Sequence, residues 1–189
     1  PEELEQLERL SLTGKYMKLQ KSLDAFLFCC YAGMRYSDFT NLSKKNIVDI
    51  NQETWLIYKS VKTGTEVRLP LYLLFAGKGI VILNKYRNNL EVFFRLRDNS
   101  NINKDLIIIA KLAGLSKKIS FHTARHTNAT LLIYNGVNIT TVQKLLGHKS
   151  VKTTQVYTNI MDMTIVHDLE KMKQATLGIK KKTDNSFNK

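Results

Sequence analysis

Apolar residues recur at helical spacing from Glu2 to Leu10 and again from about Met17 to Tyr31, which predicts two helices ahead of Gly33. A third, short helix is predicted from Ser37 to Leu42, with Ser37 as its N-cap. The period then changes from helical to alternating. Ile47 to Ile50, Trp55 to Tyr58 and Glu66 to Leu69 read as strands, the last two joined as a hairpin around Thr63 and Gly64, and Pro70 ends the sheet. Beyond Pro70 the helical period returns. It covers Leu71 to Tyr86 with a weak spot at Gly77 and Gly79, then Asn103 to Leu112 closed by Gly114. Further helices are predicted from His122 to Tyr134 closed by Gly136, from Thr140 to Leu146 closed by Gly147, and from about Val151 to Thr158. A last amphipathic segment sets Ile165, Leu169 and Met172 on one stripe. The pattern as a whole predicts an α+β chain, mainly α, with helices around a small three-stranded antiparallel sheet.

Composition narrows the class. The 189 residues, 43% hydrophobic and 24% charged, suffice for one globular domain with its own core. No apolar run reaches the roughly 18 residues of a membrane span. The first stretch, PEELEQLERL, lacks the basic and apolar regions of a signal peptide, so export is not expected, and the missing initiator Met predicts a fragment of a longer protein. Cys29 and Cys30 are neighbours inside AFLFCCYAG, which predicts two buried thiols in a reducing cytoplasm rather than a disulfide. No further ligands stand at zinc-finger spacing. The 29 Lys and Arg against 16 Asp and Glu give a formal charge of +13, which draws polyanions to the surface and suits phosphate contacts. Part of that excess lies in GIKKKTDNSFNK, predicted to be a disordered end.

The chemistry-bearing stretches are AGMRYSD, SVKTGTEVRLPL, FHTARHT and LLGHKSVKTTQVYTNI, in that order. Each key residue, taken alone, has a plain role. Arg35 follows Gly33 and fits a helix end, Lys62 fits an exposed hairpin lysine, His148 fits a C-cap after Gly147, and Tyr157 fits an amphipathic tyrosine. Arg125 is three residues beyond His122 and shares its helix face. His126 and His167 are read as packed or partly exposed. The ordered set, however, resembles the catalytic domain of the tyrosine recombinases, the phage-integrase family, with wording nearest the integrases of Bacteroides-group mobile elements. The resemblance runs from the first helix to about Met172.

That resemblance implies a catalytic domain over 1–160, a C-terminal helix over 161–178 that is exchanged between protomers or folds back on its own domain, and a disordered basic tail over 179–189. It implies catalytic roles for Arg35, Lys62, His122, Arg125, His148 and Tyr157, with Asp38 bracing Arg35. The implied activity is site-specific cleavage and rejoining of DNA through a covalent 3′-phosphotyrosine, without metal, ATP or other cofactor, in the bacterial cytoplasm at the nucleoid. The implied partners are double-stranded DNA, other protomers in a tetrameric synapse and accessory DNA-bending proteins, with no membrane.

Elementary chemistry gives these residues workable tasks. Two planar guanidiniums can clamp the phosphate oxygens on which charge builds during cleavage. A phenol with an ordinary pKa of about 10 attacks at neutral pH only with help in losing its proton, which His122 or His148 can supply while the other donates to phosphate. A lysine with a lowered pKa can protonate the departing 5′ oxygen. Two rivals share parts of the pattern. NITTVQKLLGHKSVKTTQVY also reads as a helix-turn-helix of a DNA-binding regulator, and a type IB topoisomerase would use the same Arg, Lys, His and Tyr chemistry.

Overall fold

The computed structural model describes residues 2–157 together with 169, 172 and 173. Its elements run α1 (Glu2–Arg9), a 3-10 turn (Gly14–Leu19), α2 (Gln20–Ala32), α3 (Tyr36–Thr40), β1 (Ile47–Ile50), β2 (Glu53–Lys59) and β3 (Glu66–Pro70). They continue with a 3-10 turn (Leu74–Gly77), α4 (Lys78–Lys85), α5 (Leu90–Phe94), α6 (Asn99–Leu112), α7 (Phe121–Tyr134), α8 (Ile139–Leu146) and α9 (Lys152–Gln155). The predicted α+β architecture, mainly helical with one three-stranded antiparallel sheet, is the one found. Among the described residues no helix is long and apolar enough to cross a membrane.

Helix α2 is the axle of the domain. Every residue from Ser22 to Ala32 is buried, because SLDAFLFCCYA is mostly apolar around its circumference and its two polar side chains are paired, Ser22 with Asp105 and Asp24 with Lys85 and Tyr86. Cys29 and Cys30 are both buried and free, as the sequence predicts. α7, α4, α6 and α5 pack around this axle. Phe39 centres an aromatic cluster, its ring 5.9 Å from Phe28, 5.3 Å from Phe93, 5.5 Å from Phe94 and 6.1 Å from Phe121. The angled ring pairs suit aromatic quadrupoles and fill the space between α2, α3, α5 and α7.

The sheet has order β1-β2-β3, with Leu56 opposite Leu69 and Tyr58 opposite Val67. Those four side chains are buried on one face while Glu66 and Arg68 lie outside, the period of two that a half-covered strand demands. Asn51 and Gln52, at φ 53° and 66°, form the two-residue turn between β1 and β2, in the mirror-image geometry that matches strand twist.

The observed bounds correct several predicted ones. Helix α3 begins at Tyr36 with Arg35, not Ser37, at its N-cap position. The predicted Leu71–Tyr86 helix is interrupted, because Phe75 and Ala76 take left-handed φ of 48° and 54° and α4 starts only at Lys78. α6 begins four residues early, at Asn99, because the Asp98 carboxylate accepts from the Asn101 amide and caps a stretch polar enough to read as loop. α2 starts at Gln20, after a 3-10 turn that takes up Met17 to Leu19. α5 has no counterpart in the prediction. Five residues are too short to show a helical period, and tertiary packing of Phe93 and Phe94 stabilises it. α9 is a single turn ending at Gln155, and Thr158 lies outside the described residues. So do Ile165, His167 and most of the C-terminal segment; Leu169 and Met172 are exposed.

α8 lies over β3, and its terminal Gly147 is the close approach. At φ 63° a Cβ there would sit 2.6 Å from Val67 Cγ2. Gly64, at φ 68°, has open space, its nearest neighbour 4.0 Å away. Gly64→Ala is expected to lose about 1–2 kcal/mol, the backbone cost of a left-handed alanine, and Gly147→Ala clearly more. Chemical denaturation of both variants measures the difference, and equal losses would remove the α8–β3 contact from the account.

Candidate active site

Arg125 sits in the middle of the buried face of α7, between Ala124 and Asn128, and is 1% exposed. The helix is started by Ser120, whose amide donates to the Thr123 hydroxyl in a reciprocal cap. A guanidinium on an apolar face needs partners, and it has two. It donates to Gly33 O at 2.7 Å and to Leu146 O at 2.6 Å. These carbonyls belong to the C-terminal ends of α2 and α8, both closed by left-handed glycines, Gly33 at φ 67° and Gly147 at φ 63°. Helix C-termini carry unpaired carbonyls and negative partial charge, so each end stabilises the cation. Asn128 ties α7 to α2 a second time by donating to Cys30 O at 2.9 Å. Burial, and after it the charge of Arg35, pull the Arg125 pKa down to about 10, which still leaves it a cation at neutral pH.

Gly33 also redirects the chain. Met34 turns into the core and Arg35 turns toward Arg125, near enough for their charges to interact. Asp38, one helical turn on and 1% exposed, holds Arg35 with Oδ2 3.5 Å from its Nη1. Its other oxygen accepts the Val61 amide at 2.8 Å, and Ser60 Oγ lies 3.3 Å from both the Asp38 carboxylate and the Arg35 guanidinium. One buried carboxylate therefore fixes both the first arginine and the foot of the 60–65 hairpin loop. Lys62 is exposed on that loop, and the neighbouring Thr63 hydroxyl donates to Gly147 O at 3.1 Å. Hairpin and α8 end are thus tied beside Arg125.

His148 is the first residue after Gly147, its amide bonded to Gln143 O at 3.0 Å. Burial, and then Arg125 and Arg35, push its pKa down to about 4, so the ring is neutral at physiological pH. His122 is also shifted down, first by burial and then by His126, Arg125, Arg35 and Lys62. Tyr157 is buried, with its amide donating to Thr154 O at 3.1 Å, and lies near enough to Arg125 that a phenolate there would interact with the guanidinium. The six predicted residues thus converge on one region although 122 positions separate Arg35 from Tyr157 in the chain, 157 minus 35.

Four neighbours outside the predicted set reach this region. His126, read in the sequence as packed or partly exposed, is exposed and has its ring 4.5 Å from His122 and 5.2 Å from Tyr157, so it links the two. Its i+4 spacing from His122 was the available signal. Ser60 and Thr154 carry no sequence signal of their own and are recruited by tertiary contact. Tyr58 lies behind the arginines; its hydroxyl is buried without a hydrogen-bond partner among the described residues, and burial, followed by Asp38, raises its pKa. A cluster of two guanidiniums, one lysine, two imidazoles and a phenol has the chemistry to bind an oxyanion, move protons and supply an oxygen nucleophile.

Comparison with known proteins places this arrangement. The Phage integrase family model matches residues 2–163. The tyrosine recombinase XerC of Rickettsia prowazekii is 28% identical over 185 residues, covering 93% of this chain and 58% of its own length. XerA of Saccharolobus solfataricus is 34% identical over 134 residues, 68% of this chain and 42% of that protein. The chain therefore spans about half the length of these relatives. A crystal structure of XerA recombinase superposes with a TM-score of 0.66 at 25% identity, over 90% of this chain and 63% of that one. A lambda integrase dimer bound to a core site shares the fold, with a TM-score of 0.61 at 21% identity over 82% of this chain and 55% of that one. With the family model covering 162 consecutive residues from Glu2 to Met163, the chain belongs to the phage integrase family.

Proposed function

We propose that this chain is the catalytic domain of a site-specific tyrosine recombinase that cuts and rejoins double-stranded DNA through a 3′-phosphotyrosine. The observation that supports it best is the convergence of Arg35, Arg125, Lys62, His122 and His148 in one field with the Tyr157 phenol. In this reading Arg35 and Arg125 hold the non-bridging oxygens of the scissile phosphate. Tyr157 Oη forms a bond to phosphorus as the bond to the 5′ oxygen breaks. One imidazole takes the phenolic proton, Lys62 gives a proton to the 5′ oxygen, and the other imidazole donates a hydrogen bond to phosphate. The new ester retains the energy of the cleaved linkage, so the reverse attack by a 5′ hydroxyl reseals DNA. Domain limits of 1–160, 161–178 and 179–189, a tetrameric synapse, DNA-bending helpers, a place at the nucleoid and an origin in a Bacteroides-group mobile element belong to the same proposal. Support for DNA as substrate comes from the +13 charge and from relatives solved on DNA, such as XerH bound to a difH substrate.

Incubation with nicked duplex carrying the recognition site, followed by a denaturing gel, is expected to show a covalent protein–DNA band that Tyr157→Phe abolishes. A mobility shift confined to native gels would instead indicate a helix-turn-helix regulator, and site-independent plasmid relaxation a topoisomerase. For the C-terminal segment, deletion from Thr164 onward is expected to impair recombination more than cleavage. Equal loss of both would count against exchange between protomers.

The neutral imidazoles have a stability signature. His148 takes up protons below an ordinary pKa of 6.5 when unfolded but only near 4 when folded. Stability is therefore whole above pH 6.5 and falls as pH drops from 6.5 toward 4. Thermal midpoints between pH 7.5 and 4.5 are expected to fall less steeply for His148→Gln than for the wild type; parallel curves would show that His148 does not carry the effect.

A further inference from the structure

Thr154, in the single turn of α9, is 0% exposed, and its Oγ1 lies 2.9 Å from Nδ1 of His148. That nitrogen is the one hydrogen-bond partner the structure gives this hydroxyl among the described residues. A neutral imidazole carries one ring proton, on Nδ1 or on Nε2, and the choice follows from the partner of the other nitrogen. Were the proton on Nδ1, it would be donated to Oγ1, and the hydroxyl hydrogen of a wholly buried threonine would be left without an acceptor. A buried unsatisfied donor is disfavoured. With the hydroxyl donating to Nδ1, both groups are satisfied and the ring proton resides on Nε2.

We infer that Thr154 is a positioning residue whose hydroxyl donates to His148 Nδ1 and holds the ring in its Nε2–H form, turned to give a hydrogen bond to an oxyanion. The inference rests on the recombinase reading only for the identity of that oxyanion as a DNA phosphate. It divides the labour between the two imidazoles: His148 has no lone pair left to accept the phenolic proton, which goes to His122. It also links the nucleophile to its surroundings. The Thr154 carbonyl accepts the Tyr157 amide at 3.1 Å, so the residue that sets the histidine also anchors the backbone of the tyrosine.

Ring nitrogen NMR of the wild-type chain at neutral pH, without DNA, reads the tautomer directly. Nδ1 of His148 is expected to resonate as unprotonated and Nε2 as protonated; the reverse assignment overturns the inference. In the covalent-band assay Thr154→Val, which keeps the shape but not the hydroxyl, is expected to form the phosphotyrosine roughly 10–100-fold more slowly with DNA affinity little changed. Thr154→Ser, which restores the hydroxyl, is expected to recover most of the rate. Cleavage by Thr154→Val at wild-type speed, or no recovery in Thr154→Ser, refutes it. If the wild type forms no covalent adduct, the recombinase reading fails, while the NMR measurement still decides the tautomer.

Discussion

The buried guanidinium of Arg125, shared between Gly33 O and Leu146 O, is the contact on which the rest of the molecule depends. α7 cannot lay its apolar face on α2 without carrying this charge inside, and a buried charge without partners is costly. α2 and α8 in turn end in carbonyls with no acceptor role left inside their own helices. Each side supplies what the other lacks, so the three helices meet at one point. Left-handed glycines end α2 and α8 there, and the chain leaves each end directly toward a candidate site residue: Arg35 after Gly33, His148 after Gly147.

The electrostatics of the site follow from the same point. Arg35 is held close to Arg125, and the buried carboxylate facing the pair is Asp38. The result is a local excess of positive charge in a partly dehydrated place. Burial, with that excess added, lowers the pKa of both His122 and His148, so each ring resists becoming a cation. In the proposed reading an oxyanion entering between the guanidiniums relieves the repulsion.

Asp38 shows how one side chain can order two elements of the candidate site. Through Arg35, Ser60 and the Val61 amide it makes the position of the first arginine and the foot of the lysine hairpin a single arrangement. Thr63 extends that arrangement to the end of α8, and Thr154 joins His148 to the turn bearing Tyr157. The pocket is therefore a set of coupled backbone ends. Apart from His122 and Arg125, which helix α7 carries, its groups sit where short hydrogen-bonded links place them.

By itself the chain's pattern of residues determined the fold class, the strands, most helix C-terminal ends and the order of the candidate catalytic side chains. These rest on local physics: helical and alternating periods, glycines that close helices, and residue types whose chemistry is known before folding. Tertiary structure alone decided the rest. Whether Phe93 and Phe94 form a helix depends on Phe28 and Phe39, distant in the chain. That His126 touches Tyr157, that Ser60 joins Arg35 to Asp38, and that Thr154 faces His148 are consequences of packing between elements. A serine, a threonine or a histidine looks the same in sequence on an idle surface as beside a reacting group, because its partner is chosen only when the chain closes.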